Sequence, residues 1–322
     1  MNASSQGTLQ REDRPSPSRW LGWRPLRSEQ ARPRRRLSSK AKEQLAGVAF
    51  ASPWLLGFLA FTLVPLVLGA VYSLTNYHLL NSPHFIGAAN YRLLAQNPSF
   101  KQSLYTTGIL LLVGVPATVL FPLGYALLMN AAARFQRTFR TMMFVPSLIP
   151  AAASGLVWAW LFNTNFGLVN DALRFAHMPT PNWLGTVWGA RSALVIVQVW
   201  GAGTSAILLL AGLQDIPPEL LDAARVDGAG AWSRFWHVTL PKLSPVLFFN
   251  VVYSVLGVIQ LFTQPLVMFG TSLYVALTFV FDVAFNDLAI GAGAAASWVV
   301  VIGTVAIVLL LFRTQRWWVH YD

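Results

Sequence analysis

The chain is 322 residues long, 55% hydrophobic and 11% charged, with a mean hydropathy of +0.52. Soluble domains carry about 25% charged residues, so this balance excludes an ordinary water-soluble domain and makes lipid the main solvent. Cysteine is absent, which excludes disulfides, thiolate metal sites and cysteine nucleophiles.

A net charge of +11 would suit nucleic acid if it were spread over a surface, but eleven of the 23 Lys and Arg residues fall between Arg11 and Lys42. Residues 1–45 read as a basic, disordered cytoplasmic tail that anchors a first membrane helix, not as a nucleic-acid arm. The apolar stretch Ala46–Ser73 that follows is about 28 residues long. A cleaved secretory signal has an apolar core of only about 7–15 residues, so this stretch is expected to stay in the membrane. Pro53 and Pro65 inside it predict bends.

Apolar runs near the roughly 20 residues needed to cross a bilayer recur along the chain. They predict six spans, at 47–74, 104–130, 139–162, 191–213, 245–270 and 289–312. The apolar run 273–281 is short and bounded by Asp282, and reads as an outward-facing or re-entrant piece. The expected fold is an all-α membrane protein of about six transmembrane helices, with residues 46–322 as its membrane domain. With the tail inside, the inner segments hold 19 Lys and Arg, against four in the outer segments and helix ends: Arg92, Lys101, Arg174 and Arg191. That bias predicts a multi-pass chain with both termini in the cytoplasm.

The segment between spans four and five, 214–244, is then cytoplasmic. It holds four of the chain's twelve acids, Asp215, Glu219, Asp222 and Asp227, and sums to a charge of −1. Asp215 is placed to cap a short helix whose first turn takes Pro217 and Pro218. Glu219, Asp222 and Arg225 follow at successive threes, with Ala223 and Ala224 as a close-packing surface. Gly228 supplies a turn that a β-carbon would hinder. Trp232, Phe235, Trp236 and Thr239 then repeat at i, i+3, i+4, i+7 on a second helix, which Pro241 is expected to stop at the membrane entrance. A helix lying alone on the bilayer surface is the alternative, but such helices are typically basic and this one opens with an acidic turn.

Asp222-Ala223-Ala224, three residues, Gly228, nine residues, then Val238-Thr239-Leu240-Pro241 resembles the cytoplasmic coupling loop of the permease subunits of binding-protein-dependent ABC importers. That family reads Glu-Ala-Ala, three residues, Gly, nine residues, Ile-x-Leu-Pro, so Asp replaces Glu and Val replaces Ile while the spacing is kept. The likeness is closest to the carbohydrate-uptake branch. It runs through Phe85-Ile86-Gly87-Ala88-Ala89-Asn90-Tyr91, Gly167-Leu168-Val169-Asn170, Asn182-Trp183-Leu184, Val199-Trp200-Gly201 and Ala211-Gly212-Leu213-Gln214. Two features qualify it. Thr263-Gln264-Pro265-Leu266-Val267 stands where the family has Thr-x-Gly-Gly-Pro, and the ending Trp317-Trp318-Val319-His320-Tyr321-Asp322 resembles the first of the two paired permease types.

The resemblance implies the transmembrane domain of a type I ABC importer. Its implied partners are a homologous second permease, an ATP-binding cassette ATPase dimer, an extracytoplasmic solute-binding protein and membrane lipid, with no nucleic acid, no metal and no cofactor. It implies that Glu219, Asp222, Ala223, Ala224, Gly228 and Pro241 couple the chain to the ATPase, and that the chain itself is not an enzyme.

Two features of the residues bear on energy and solute. No Asp, Glu, Lys or Arg lies in the interior of the six predicted spans, where Arg140 and Arg191 sit only at span ends, whereas ion-coupled carriers place such groups in the interior to bind the driving ion. A phosphate-binding Gly-x-x-x-x-Gly-Lys-[Ser/Thr] loop is also absent, so ATP is expected on a separate subunit. An uncharged interior suits a neutral solute met by amides, hydroxyls and rings. Candidates for the pathway are Gln198, Trp200, Gly201 and Thr204 on span four, and Asn250, Tyr253, Gln260 and Gln264 on span five. Tyr253, Gln260 and Gln264 fall at i, i+7 and i+11, one stripe of a helix. The resemblance places the family's sugar contacts in the same two spans. Such polar residues can instead bond neighbouring helices for about 0.6 kcal/mol each, and Gly201 and Gly203 can serve close packing. The competing functions are a permease for glycerol phosphate or another polar solute, and an ion-coupled secondary transporter. A membrane enzyme finds no His, Asp and Glu cluster to support it, and His177, His237 and His320 lack metal-ligand spacing.

Overall fold

In the computed structural model the described residues are 39–79, 82–131 and 136–320, and their regular elements are all helices apart from one antiparallel bridge between Thr75 and Phe85. Most of the basic tail, residues 1–38, and Arg134 of the predicted inner loop lie outside them. The chain divides into two compact units at Phe58 and Leu59. The first contributes one described helix, α1 (Ser39–Phe58), which carries Pro53 and stacks Trp54 on Phe58 at 5.6 Å between ring centres.

The second unit runs α2 (Val64–Ser73), α3 (Ala89–Gln96), α4 (Pro98–Ile109), α5 (Val115–Ala131), α6 (Gln136–Phe144), α7 (Ala151–Leu161), α8 (Leu168–Phe175) and α9 (Val187–Trp200). It continues with α10 (Gly203–Gln214), α11 (Pro218–Val226), α12 (Ala231–Arg234), α13 (Leu240–Ile259), α14 (Thr263–Phe269), α15 (Ala276–Phe281) and α16 (Ile290–Thr314).

Among the described residues four unbroken runs are long and apolar enough to cross a membrane: Ala46–Ser73, Pro98–Ala131, Ala231–Ile259 and Ile290–Trp317. Three of them pass a proline by the same device. Five-residue π-helical turns cover Leu59–Leu63, Leu110–Gly114 and Phe235–Thr239, and each stands just ahead of a proline: Pro65, Pro116 and Pro241. A proline within a helix lacks an N–H and clashes with the carbonyl four residues back. Widening the preceding turn to i→i+5 moves that carbonyl aside and lets the helix continue. The sequence expectation that Pro241 stops its helix is therefore corrected: the helix that begins at Ala231 runs through it to Ile259.

Two other spans are broken. Arg137–Leu148 and Ala151–Leu161 meet at 100°, so the predicted continuous span 139–162 is corrected to a bent pair. Its cause is Pro146 and Pro150, with Ile149 between the helices extended at φ −74° and ψ 127°, as a residue preceding proline prefers. Val187–Trp200 and Gly203–Gln214 meet at 47°, across Gly201 and Ala202. The predicted fifth span 245–270 is also corrected: α13 ends at Gln260 and α14 is a separate helix packed on α7. Tyr253, Gln260 and Gln264 thus do not share one helical stripe.

α5 and α13 flank α10, α16 lies along α2, and α15 rests on α4. Leu123, Ala126, Leu209, Leu210, Leu213, Leu243 and Leu247 fill the interior of the first group. Large apolar side chains also cover the outside, among them Leu112 at 78% exposure and Leu309 at 63%. Against lipid such residues gain nothing from further burial, so dispersion contacts and close approach hold the helices together. The closest approach joins the two broken spans: a β-carbon on Gly203 would lie 1.9 Å from the Met143 carbonyl oxygen. Only glycine admits the turn of α6 against the start of α10.

Candidate functional site: the 214–244 loop and a polar cavity between the spans

α10 ends at Asp215, whose N–H donates to the Ala211 carbonyl at 3.1 Å. Asp215 caps the C-terminus of α10 and not the N-terminus of α11, which corrects the sequence expectation. Pro217 takes the capping position of α11 in extended geometry with Pro218 in the first turn, since adjacent prolines hold Pro217 out of the helical region. Glu219 stands in the first turn of α11, where a carboxylate complements the helix dipole. Asp222 and Arg225 pair at 2.6 Å with both side chains more than half exposed. An exposed pair of this kind contributes about 0–1 kcal/mol, so stability does not account for an acid at 222.

The turn after α11 is closed by two hydrogen bonds, from Ala229 N–H to Ala224 O at 2.9 Å and from Gly228 N–H to Arg225 O at 3.0 Å. This pairing is the Schellman ending of a helix and needs a left-handed residue between. Gly228 supplies it at φ +79°, with no atom within 4 Å of where a β-carbon would sit. Backbone conformation, not crowding, is what demands glycine there. Arg234 Nη1 donates to Ala229 O at 2.8 Å and ties the turn to the start of the next helix.

The loop shows water a mixed face. Glu219, Ala223 and Val226 fall at i, i+4 and i+7 on α11, and Val226 is 88% exposed. Trp232 is 73% exposed and packs its ring against Phe235 and Trp236 at 6.0 and 5.6 Å. Ala224, Leu221 and Pro241 are half-buried on the inward side, and Leu213 and Ile216 are buried. Val226 and Leu220 were missed by sequence reasoning. Their signal was two large apolar side chains in an otherwise acidic stretch.

A cavity of about 310 Å³ opens where the fourth span breaks. That volume is at the lower end of the roughly 300–1,000 Å³ typical of ligand pockets. Of the predicted pathway residues it gathers Gln198 and Gly201 from the break, Tyr253 from α13 and Gln264 from α14. Gln198 Nε2 donates to Leu194 O at 3.3 Å, and Gln264 Nε2 to Ser154 Oγ at 3.5 Å. Thr118, Ser205 and Ser254 add hydroxyls that sequence reasoning missed, because the bend in span four sets which residues converge. No charged side chain lines this cavity.

The other four candidates lie elsewhere. Trp200 lines a separate void of about 120 Å³ with Met143 and Pro146, its ring edge-on to Trp158 at 5.6 Å. Thr204 is exposed and outside the cavity lining. Gln260 caps the end of α13 and is exposed, because the helix stops there. Asn250 is fully buried, with neither its Nδ2 nor its Oδ1 hydrogen-bonded. The expectation of ionisable groups only at span ends also needs correction. The fourth span begins at Val187, four residues earlier than hydropathy suggests, and Arg191 in its second turn is only 4% exposed.

The chain is 35% identical over 292 residues to the probable ABC transporter permease protein YesP of Bacillus subtilis (strain 168), a match covering 87% of this chain and 94% of that one. It is 31% identical over 260 residues to the trehalose/maltose transport system permease protein MalF of Thermococcus litoralis, covering 79% and 88%. In fold it is similar to a chain of a bacterial alginate ABC transporter crystallised with an alginate pentasaccharide-bound periplasmic protein, with a TM-score of 0.74, 20% identity and coverage of 86% and 96%. The model of the binding-protein-dependent transport system inner membrane component matches residues 118–319. The chain belongs to that family, as a multi-pass membrane permease component of a binding-protein-dependent ABC transport system.

Proposed function

We propose that this permease carries a neutral carbohydrate into the cell, powered by ATP hydrolysis on separate subunits. The single observation that carries the solute class is the uncharged lining of the cavity at the fourth-span break, where amides, hydroxyls and the Tyr253 ring converge. Amides and hydroxyls match the donors and acceptors of a sugar, and an aromatic ring offers a face to its C–H surface. A buried path without a charged side chain gives an anion or a driving cation no partner. The names of the relatives, among them a trehalose/maltose permease, agree with that chemistry.

The 214–244 loop is the proposed contact with the ATPase dimer. Glu219, Ala223 and Val226 form the face that docks, Asp222 and Ala224 fill the acidic, close-packing turn, and Gly228 holds the hinge. Helices lead away from the loop on both sides, α10 to the break at Gly201 and α13 through Pro241 to Tyr253 and Ser254. A displacement of α11 therefore reaches both walls of the cavity. A homologous second permease completes the pathway from the opposite side, and a solute-binding protein delivers sugar at the face away from the loop. The skew of Lys and Arg supports a cytoplasmic loop and cytoplasmic termini.

The test is uptake of labelled neutral oligosaccharides by the reconstituted complex of both permeases, the ATPase and the binding protein. Uptake is expected only with hydrolysable ATP. Uptake that survives without ATP and collapses with an ion gradient would contradict the reading.

A further inference from the structure

A larger cavity, about 680 Å³, lies at the start of α9, at the opposite end of the fourth span from the 214–244 loop. One wall is apolar, made by Ile109 and Val113 of the second span and by Val195 and Ile196 of α9. At its head stand Trp188 and Arg191. The Arg191 guanidinium lies 4.9 Å from the ring centre of Tyr105 and 5.2 Å from that of Trp188. Its Nη2 donates to Thr106 Oγ1 at 3.0 Å, and its Nε is buried without a partner. The two ion pairs among the described residues are Asp171 with Arg174 and Asp222 with Arg225, so neither neutralises this cation.

A guanidinium this deeply buried is costly unless an anion meets it, and one neutral hydroxyl with two ring faces is a partial match for its five donors. Among the described residues no carboxylate pairs with it, yet a cavity opens beside the cation. From Trp188 to Ile196 the apolar wall extends eight residues along α9, about 12 Å at the helical rise. A cationic head over a hydrocarbon slot selects an amphiphile with an anionic head. Trp188 is 65% exposed at the end of a membrane span, the place where indole rings mark the headgroup level. At that depth the ambient anion is the phosphodiester of a phospholipid.

We propose that this cavity is a phospholipid site in the leaflet away from the 214–244 loop, with the phosphodiester against Arg191 and one acyl chain along Val113 and Val195. The site lies apart from the cavity assigned to the solute, and it does not depend on which solute is carried. Bound lipid completes the charge balance of the second and fourth spans.

The test uses the full transporter complex, purified and exchanged into micelles of defined lipid, with retained lipid counted by mass spectrometry. Dioleoyl phosphatidylglycerol is the probe, and a diacylglycerol glycolipid with the same chains but no phosphate is the control. Wild type is expected to retain phosphatidylglycerol and to release the glycolipid. Arg191→Gln removes a charge-assisted contact and should lower retention by about tenfold or more. Val113→Trp keeps Arg191 and fills the slot from an exposed position, so it should lower retention while the complex stays folded. Equal retention in wild type and both variants would overturn the site. So would equal retention of the phosphate-free lipid. Displacement of phosphatidylglycerol by glucuronate would overturn it in favour of an acidic-sugar subsite, and cross-linking of the second permease into the slot in place of lipid would overturn it in favour of a subunit contact.

Discussion

At Asn250 the chain buries an amide completely and gives it no hydrogen bond. A buried polar group left in that state costs about 1–3 kcal/mol, so Asn250→Leu, close in volume, should raise the thermal unfolding temperature of the purified complex. If this amide finds its partner when α10 and α13 move, the same variant will lose uptake while gaining stability; measuring both separates the two roles. Gly228 is the contrasting case. A β-branched residue at φ +79° costs about 1–2 kcal/mol and would spoil the Schellman ending of α11. Gly228→Val is expected to leave ATP hydrolysis in place while uptake per ATP falls sharply; unchanged uptake would remove the hinge from the account. These two residues also show what single positions reveal in advance. The spacing from Asp222 to Pro241 marked the loop, and Gly228 was legible because a turn must follow an acidic helix before an aromatic one begins. That Asn250 is fully buried without a hydrogen-bond partner depends on helix packing that residue type does not encode.

Among the elements, spans one, two and six were legible; the breaks in spans three and four and the course of span five were not. Hydropathy counts apolar residues and is blind to direction, so Pro146 and Pro150 sit inside one apolar run although the chain turns 100° there. The π turns ahead of Pro65, Pro116 and Pro241 mislead the other way, letting helices continue where proline ordinarily ends them. The end of α13 at Gln260 separated Gln260 and Gln264 from the Tyr253 stripe for the same reason: helix-wheel spacing holds only while the helix lasts. The break in the fourth span makes a sharp prediction. Gly203 admits no β-carbon beside the Met143 carbonyl, whereas one on Gly201 would have its nearest neighbour at an ordinary 3.5 Å. Gly203→Ala should therefore lower complex stability and uptake together, and Gly201→Ala should leave stability near wild type. Equal thermal shifts in the two variants would show that the close approach of α6 to α10 is not what holds the break.

For the whole molecule, the distribution of Lys and Arg is the ground for the proposed orientation. Because the chain contains no cysteine, single-cysteine variants report on sidedness without background. Asp227→Cys should react with a membrane-impermeant maleimide only in inside-out vesicles, and Phe175→Cys only in right-side-out ones; the reverse pattern would place the loop on the wrong side for any cytoplasmic ATPase. The central claim joins that loop to the solute cavity, and Ser254 on the cavity wall can report on it. The deciding measurement is the rate at which a thiol reagent modifies Ser254→Cys in the assembled transporter, with and without ATP, first with the native loop and then with Gly228→Val. With the native loop, ATP is expected to change the rate several-fold, and Gly228→Val is expected to abolish that change. A rate indifferent to ATP, or an equal response in both backgrounds, would contradict the claim that the loop moves the cavity.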